Sequence, residues 1–148
     1  MATWFECKVK YDKIQENGSV KKVNEPYLVD ALSFTEAEAR IIEECTPYIS
    51  GEFSISAVKT KISEIFWDET GDRYYMVKVM FVTIDEKTAV EKKSASFILV
   101  QSSDFKGALD NFMSGMKGTM ADFEIASITE TALMDVFPID LGGKNKEE

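Results

Sequence analysis

Apolar and polar residues alternate from the first positions of the chain. Phe5, Cys7, Val9 and Tyr11 take every second place, with Glu6, Lys8 and Lys10 between them. That is the period of a half-buried strand. Asn17-Gly18 follows, the strongest short hairpin signal, because both residues tolerate positive φ. A return strand is predicted over 19–31. Pro26 within it lacks an N–H and predicts an edge or a bulge there. Ser33-Phe34-Thr35-Glu36 reads as a capping box, the hydroxyl taking an orphan N–H while the glutamate reaches back. Phe34, Ala37, Ile41, Ile42 and Cys45 then form one stripe at helical spacing, and Pro47 and Gly51 close that helix. A long strand is predicted over 52–67. Its apolar positions change parity between Ile55 and Val58, which predicts a bulge.

The same plan then returns. Shifting the sequence by 70 places lays Trp4-Phe5 on Tyr74-Tyr75, and Cys7, Val9 and Tyr11 on Val77, Val79 and Phe81. Tyr27-Leu28-Val29 falls on Phe97-Ile98-Leu99, Ser33 on Ser103, Phe53 and Ile55 on Phe123 and Ile125, and Phe66 on Val136. No gap is needed. A second helix is predicted over 103–117, with Phe105, Ala108, Leu109, Phe112 and Met116 as its buried stripe, and a last long strand over 122–137. Its parity changes between Ile125 and Ile128, predicting a second bulge.

The expected fold is therefore α+β and internally duplicated, ββαβ–ββαβ, as one domain over 1–141. Its pseudo-repeats cover about 3–67 and 73–137, and 142–148 form a disordered tail. Two helices cannot cover both faces of so many strands. The economical solution is one shared antiparallel sheet with both helices on one face, leaving the other face to solvent or a partner.

Composition narrows the function. The chain has 148 residues, is 45% hydrophobic and carries a net charge of −9. That suffices for one core and gives no bulk attraction to duplex DNA. There is no histidine, so the usual general base near neutral pH and any Ser-His or Cys-His nucleophile pair are absent. Cys7 and Cys45 lie on apolar faces and read as buried free thiols, which suits a reducing cytoplasm. They form no zinc motif. The scattered glycines build no phosphate loop. The acids of the first helix read as a solvated face, and Asp68-Glu69 and Asp85-Glu86 fall in turns without the spacing of a calcium loop. No signal peptide, membrane span, metal or cofactor is expected, and the residues argue against an enzyme.

The face opposite the core carries the candidate site. Trp4 with Lys8 recurs as Tyr74 with Lys78. Lys10 continues the first strand, and Lys21-Lys22 and Lys92-Lys93 stand across the hairpins. Rings that stack on bases and lysines that meet phosphates are the equipment of single-strand binders. The chain is therefore expected to be a non-catalytic binding module for single-stranded DNA or RNA through Trp4, Lys8, Lys10, Lys21, Lys22, Tyr74, Lys78, Lys92 and Lys93. The alternative is a protein–protein adaptor, or a self-associating homodimer, that uses the same face.

Three stretches also carry a family likeness: 3–8, 25–40 and 115–122, the last reading Gly-Met-Lys-Gly-Thr-Met-Ala-Asp. They resemble a family of short bacterial and bacteriophage proteins that bears a domain-of-unknown-function label. The resemblance spans nearly the whole chain and implies no activity, cofactor or site residue. A viral distribution would fit a replication or accessory role. At the level of fold alone, duplicated strand-rich units are similar to the whirly-type and Pur-type single-strand binders.

Overall fold

The structure, a computed structural model, describes residues 3–49 and 51–138. Among these the order is β1 (Trp4–Ile14), β2 (Val20–Asp30), α1 (Phe34–Cys45), β3 (Phe53–Lys59), β4 (Ile62–Phe66), β5 (Arg73–Ile84), β6 (Glu91–Ser102), α2 (Phe105–Gly115), β7 (Asp122–Glu130) and β8 (Asp135–Phe137). The chain is α+β with a duplicated ββα-strand plan. The tail expected over 142–148 lies outside the described residues.

The strands make two sheets, which corrects the expectation of a shared one. One sheet has the order β3-β1-β2-β8 and the other β4-β6-β5-β7. Two compact units result. Of the described residues, the first takes those up to Thr60 and from Leu133 to Pro138, and the second takes Lys61–Ala132.

An exchange of strands is the cause. The long strand expected over 52–67 breaks in two. β3 pairs antiparallel with β1 up to Lys59, and β4 then runs parallel to β6 from Ile62. The strand expected over 122–137 breaks likewise: β7 stays on β5, and β8 runs parallel to β2. Each repeat thus gives its short last strand to the other repeat's hairpin. That strand covers part of an outer edge whose N–H and C=O groups would otherwise stand unpaired. Thr60 marks the first crossing, donating its N–H (2.9 Å) and its Oγ1 hydroxyl (2.8 Å) to the carbonyl of Trp4. Thr131 repeats both bonds on the carbonyl of Tyr74, each at 2.8 Å. Pro26 sits where the cover on β2 ends. Its carbonyl accepts from the N–H of Met134 at 2.8 Å, and β8 begins opposite Tyr27.

The repeat is not gapless. Phe5 faces Val29, and Tyr75 faces Val100, so the return strands are offset by 71 positions where the outgoing strands are offset by 70. The extra residue lies in the second hairpin loop, 85–90 against 15–19. It persists through the helices, where Ser33 and Asp104 are the equivalent N-caps. A shorter link into β7 removes it, since Tyr11 faces Phe53 and Phe81 faces Phe123. A bulge between Ile125 and Ser127 restores it. The bulge expected in both copies is therefore present in the second alone. β3 runs on regularly and leaves Val58 exposed. By this register Phe66 is the twin of Phe137, not of Val136.

Each sheet carries one helix. In the first unit Ala37, Ile41 and Cys45 of α1 pack on Phe5, Cys7, Val9, Val29 and Ala31. In the second, Ala108 and Phe112 of α2 and its C-cap Met116 pack on Tyr75, Val77, Val79, Ile98 and Val100. Each fully buried side chain of this size contributes about 1.5–3 kcal/mol. The helical stripes are narrower than expected. Phe34, Ile42 and Phe105 are exposed, although Phe34 keeps an edge contact with Phe5 at 4.9 Å. The serine half of the capping box forms as expected, while Glu36 reaches past the N-cap to the residue before it. Ser33 Oγ accepts from the N–H of Glu36 (3.1 Å), and Glu36 Oε1 accepts from the N–H of Leu32 (2.6 Å). Arg40 ties α1 to the strands, donating to the carbonyls of Asp30 and Pro138.

Candidate functional site

The strand alternation places the candidate residues, and burial then divides them. On β1 the even positions point away from α1, as expected, but Trp4 is only 7% exposed. Its twin Tyr74 is 6% exposed. On the same faces Leu28 and Val136 of the first unit, and Leu99 and Ile62 of the second, are also buried. The two rings expected to stack on bases are therefore closed to a ligand, and the uniformly wet sheet face is corrected. Alternation reports which side a residue takes. It does not report whether that side is covered.

The face turns wet only toward the hairpin end. In the first unit Lys8, Lys10 and Lys22 are exposed there. Cross-strand pairing sets them among short polar side chains: Lys8 stands opposite Ser56, Lys10 opposite Ser54 and Asn24, and Lys22 opposite Asp12. Among the described residues none of these three lysines has a carboxylate within ion-pair distance. An open depression of about 490 Å³ lies at this end, bordered by Lys10, Lys22, Asn24 and Ser54 and by the carboxylates Asp12 and Glu52. Tyr11 and Phe53, paired across β1 and β3, also border it, but their parity turns their side chains to the α1 side, where they pack against the core.

The other predicted lysines do not join them. Lys21 pairs with Lys13 on the opposite face of the hairpin. In the second unit Lys78 is half-buried. Lys92 lies 3.8 Å from Asp85, and Lys93 lies 3.1 Å from Glu124. The positions matching Lys10 and Ser54 are Met80 and Glu124, so the second unit does not repeat the donor patch. Ser54, Ser56 and Asn24 escaped sequence reasoning. Small polar residues on an exposed strand carry no signal until a neighbouring strand brings lysines beside them.

The two thiols are packed away from solvent. Both cysteines are free and buried. Burial, followed by the charges of Glu38, Cys45 and Glu6, pushes the Cys7 thiol up to about 11. Cys45 is raised by burial and then by Glu25 and Glu44. A thiol held neutral in this way is a packing group, not a reactive one. Among the described residues no group of three or more His, Cys, Asp or Glu side chains is placed to hold a metal ion. No described helix is long and apolar enough to cross a membrane.

A family model described as Domain of unknown function (DUF4494) matches residues 3–139. No curated protein and no solved structure matches the chain.

Proposed function

Since the chain belongs to the DUF4494 family of domains of unknown function, a membership that assigns no activity, we propose from its own geometry that it is a non-catalytic binding module for single-stranded nucleic acid, held at the hairpin end of the first unit. The observation that carries this reading is the donor patch: Lys8, Lys10 and Lys22 stand exposed among Ser54, Ser56 and Asn24. Ammonium, hydroxyl and amide donors are what phosphate oxygens accept from, so the reading rests on backbone contacts to a strand and not on ring stacking. Asp12 and Glu52 on the rim oppose a polyanion and limit affinity.

Fluorescence anisotropy with labelled single-stranded oligonucleotides at low salt tests it. Three lysine contacts give a slope of about −2 in log K against log salt. Lys10→Glu with Lys22→Glu abolishes binding, and Asp12→Asn with Glu52→Gln strengthens it. Absence of binding at micromolar protein in low salt, or indifference to the lysine reversals, refutes the reading.

A second reading, a protein adaptor or homodimer, is favoured by the hairpin tips. Ile14 and Val20 of the first hairpin and Ile84 and Val90 of the second are all exposed, and clustered aliphatic side chains in water mark contact surfaces. Under this reading Ile14→Asp with Val20→Asp changes the mass in solution or abolishes capture of a partner, while the lysine reversals do not.

A further inference from the structure

The first unit holds another cavity, of about 310 Å³, on the side of the sheet that α1 covers. Among its walls are the rings of Tyr11, Tyr27 and Phe137 and the carboxylates of Glu25, Glu44 and Asp135. Tyr27 and Phe137 stack, with centroids 5.8 Å apart and planes 15° from parallel. β8 brings both Asp135 and Phe137 to the site, so the exchanged strand completes it. The phenols of Tyr11 and Tyr27 both donate to Glu25 Oε1, each at 3.2 Å. They fix the carboxylate in place, and Oε2 takes neither of them. Among the described residues no lysine or arginine lines the cavity.

We propose that this cavity binds an alkylammonium cation, its charged head against Glu25 between the aromatic rings and its aliphatic stem along the apolar floor. Three carboxylates without a facing cation create a site of negative potential, and ring faces add attraction for ammonium. Burial and Glu25 both raise the proton affinity of the two phenols, so they remain neutral donors that hold the carboxylate and do not repel it. A bare metal ion fits less well, because the described carboxylates and thiols form no group placed to hold one. The floor, Cys45 and Ile49, suits methylene groups.

The second repeat serves as an internal control. Where the first has Tyr11, Glu25 and Tyr27, the second has Phe81, Ser96 and Ile98. In place of Glu44 it has Gly115, and the ring of Phe66 rests on that glycine. Asp135 keeps an acidic twin in Glu64, so the same fold forms without the phenols and without Glu25 and Glu44. Their presence in one copy is not a requirement of packing, and it marks the first copy as the one fitted for a ligand. The proposal is independent of nucleic-acid binding, although Tyr11 borders both sites.

Titration of the full chain with n-butylammonium, 1,4-diaminobutane and a short peptide bearing one lysine, followed by the tyrosine ring resonances, tests it. n-Butanol is the neutral isostere. The cations are expected to shift the ring signals of Tyr11 and Tyr27, and butanol is not. The tighter of diamine and peptide identifies the source as a free amine or a protein side chain. Glu25→Gln keeps an oxygen for both phenols but loses the charge, and it should weaken butylammonium by about tenfold or more without lowering the melting temperature. If that variant fails to fold, Glu44→Gln with Asp135→Asn, both at exposed positions, should weaken it by a smaller factor. Equal shifts from butanol and butylammonium, no shift at millimolar cation, or undiminished binding to the charge-neutralised variants would overturn the proposal.

Discussion

The ring of Phe66, delivered by the exchanged strand β4, lies on Gly115 near the end of α2, and a Cβ built at Gly115 would stand 2.5 Å from Cε2 of that ring. No helix of the first unit faces this demand, because Glu44 occupies the matching place in α1. Two effects compete when Gly115 becomes alanine. Helix propensity favours alanine by up to about 1 kcal/mol, and overpacking costs about 1–3 kcal/mol. The ring also meets Phe112, with centroids 6.1 Å apart, which limits the room it has to shift. Gly115→Ala is therefore expected to destabilise, measured as a lower urea midpoint. A raised midpoint would mean that the ring moves freely.

The exchanged strands are expected to be structural members of the unit that receives them. Phe137→Ala removes a half-buried ring stacked on Tyr27 and should cost about 2–3 kcal/mol. Phe66→Ala should cost a similar amount. A loss under half that value for both would show that the short strands contribute little to either core.

How much of this was legible in the sequence can be argued from these residues. The alternation of Phe5 to Tyr11, the hairpin at Asn17-Gly18 and the Ser33 cap are local patterns with local causes, and each formed, although only Gly18 of the turn pair takes positive φ and Glu36 bonds Leu32 instead of the N-cap. The helix stripes were legible at Ala37, Ile41 and Phe112, where spacing alone fixes the buried side. The exchange was not, because Ile62 to Phe66 reads as a strand whichever hairpin it joins, and no local pattern marks a partner. The one-residue offset was hidden for a related reason. Leu28 matches Ile98 as well as Tyr27 does in hydrophobicity, so a gapless comparison looked complete. The site failed at Trp4 and Tyr74, since their burial depends on what covers a face and not on the period of the strand.

The two helix caps offer a matched pair of measurements. Ser33 Oγ accepts from Glu36 N–H, and Asp104 Oδ1 accepts from Gly107 N–H at 2.7 Å. Ser33→Ala and Asp104→Ala should each cost about 1 kcal/mol in chemical denaturation. Asp104→Asn should retain most of the stability, because the amide oxygen still accepts. A neutral outcome for both alanine variants would show that water replaces the caps at no loss.

Alkaline pH should reveal the buried thiol. An unfolded chain releases the Cys7 proton near 9.0, and the folded chain holds it to about 11. Between these values the folded state keeps a proton that the unfolded state has shed. Its contribution to stability is thus complete below about pH 9 and is lost as pH rises toward 11. Cys7→Val installs the residue of the second repeat, Val77, and should flatten the wild-type decline over that window. Identical slopes for the two proteins would place the titration elsewhere.

The reciprocal loan of β4 and β8 also bears on how such a molecule is made and where it came from. On the ribosome the first hairpin emerges early, yet the strand that finishes its edge is translated after every other described strand, so the unit translated first cannot mature until β8 has been made. A lone repeat would face the same shortage permanently, unless a second copy supplied the missing piece. The simplest ancestor is accordingly a pair of identical short chains trading their final strands, later fused into one gene. Cutting the present chain between Gly71 and Asp72 should yield two fragments that fold only when mixed.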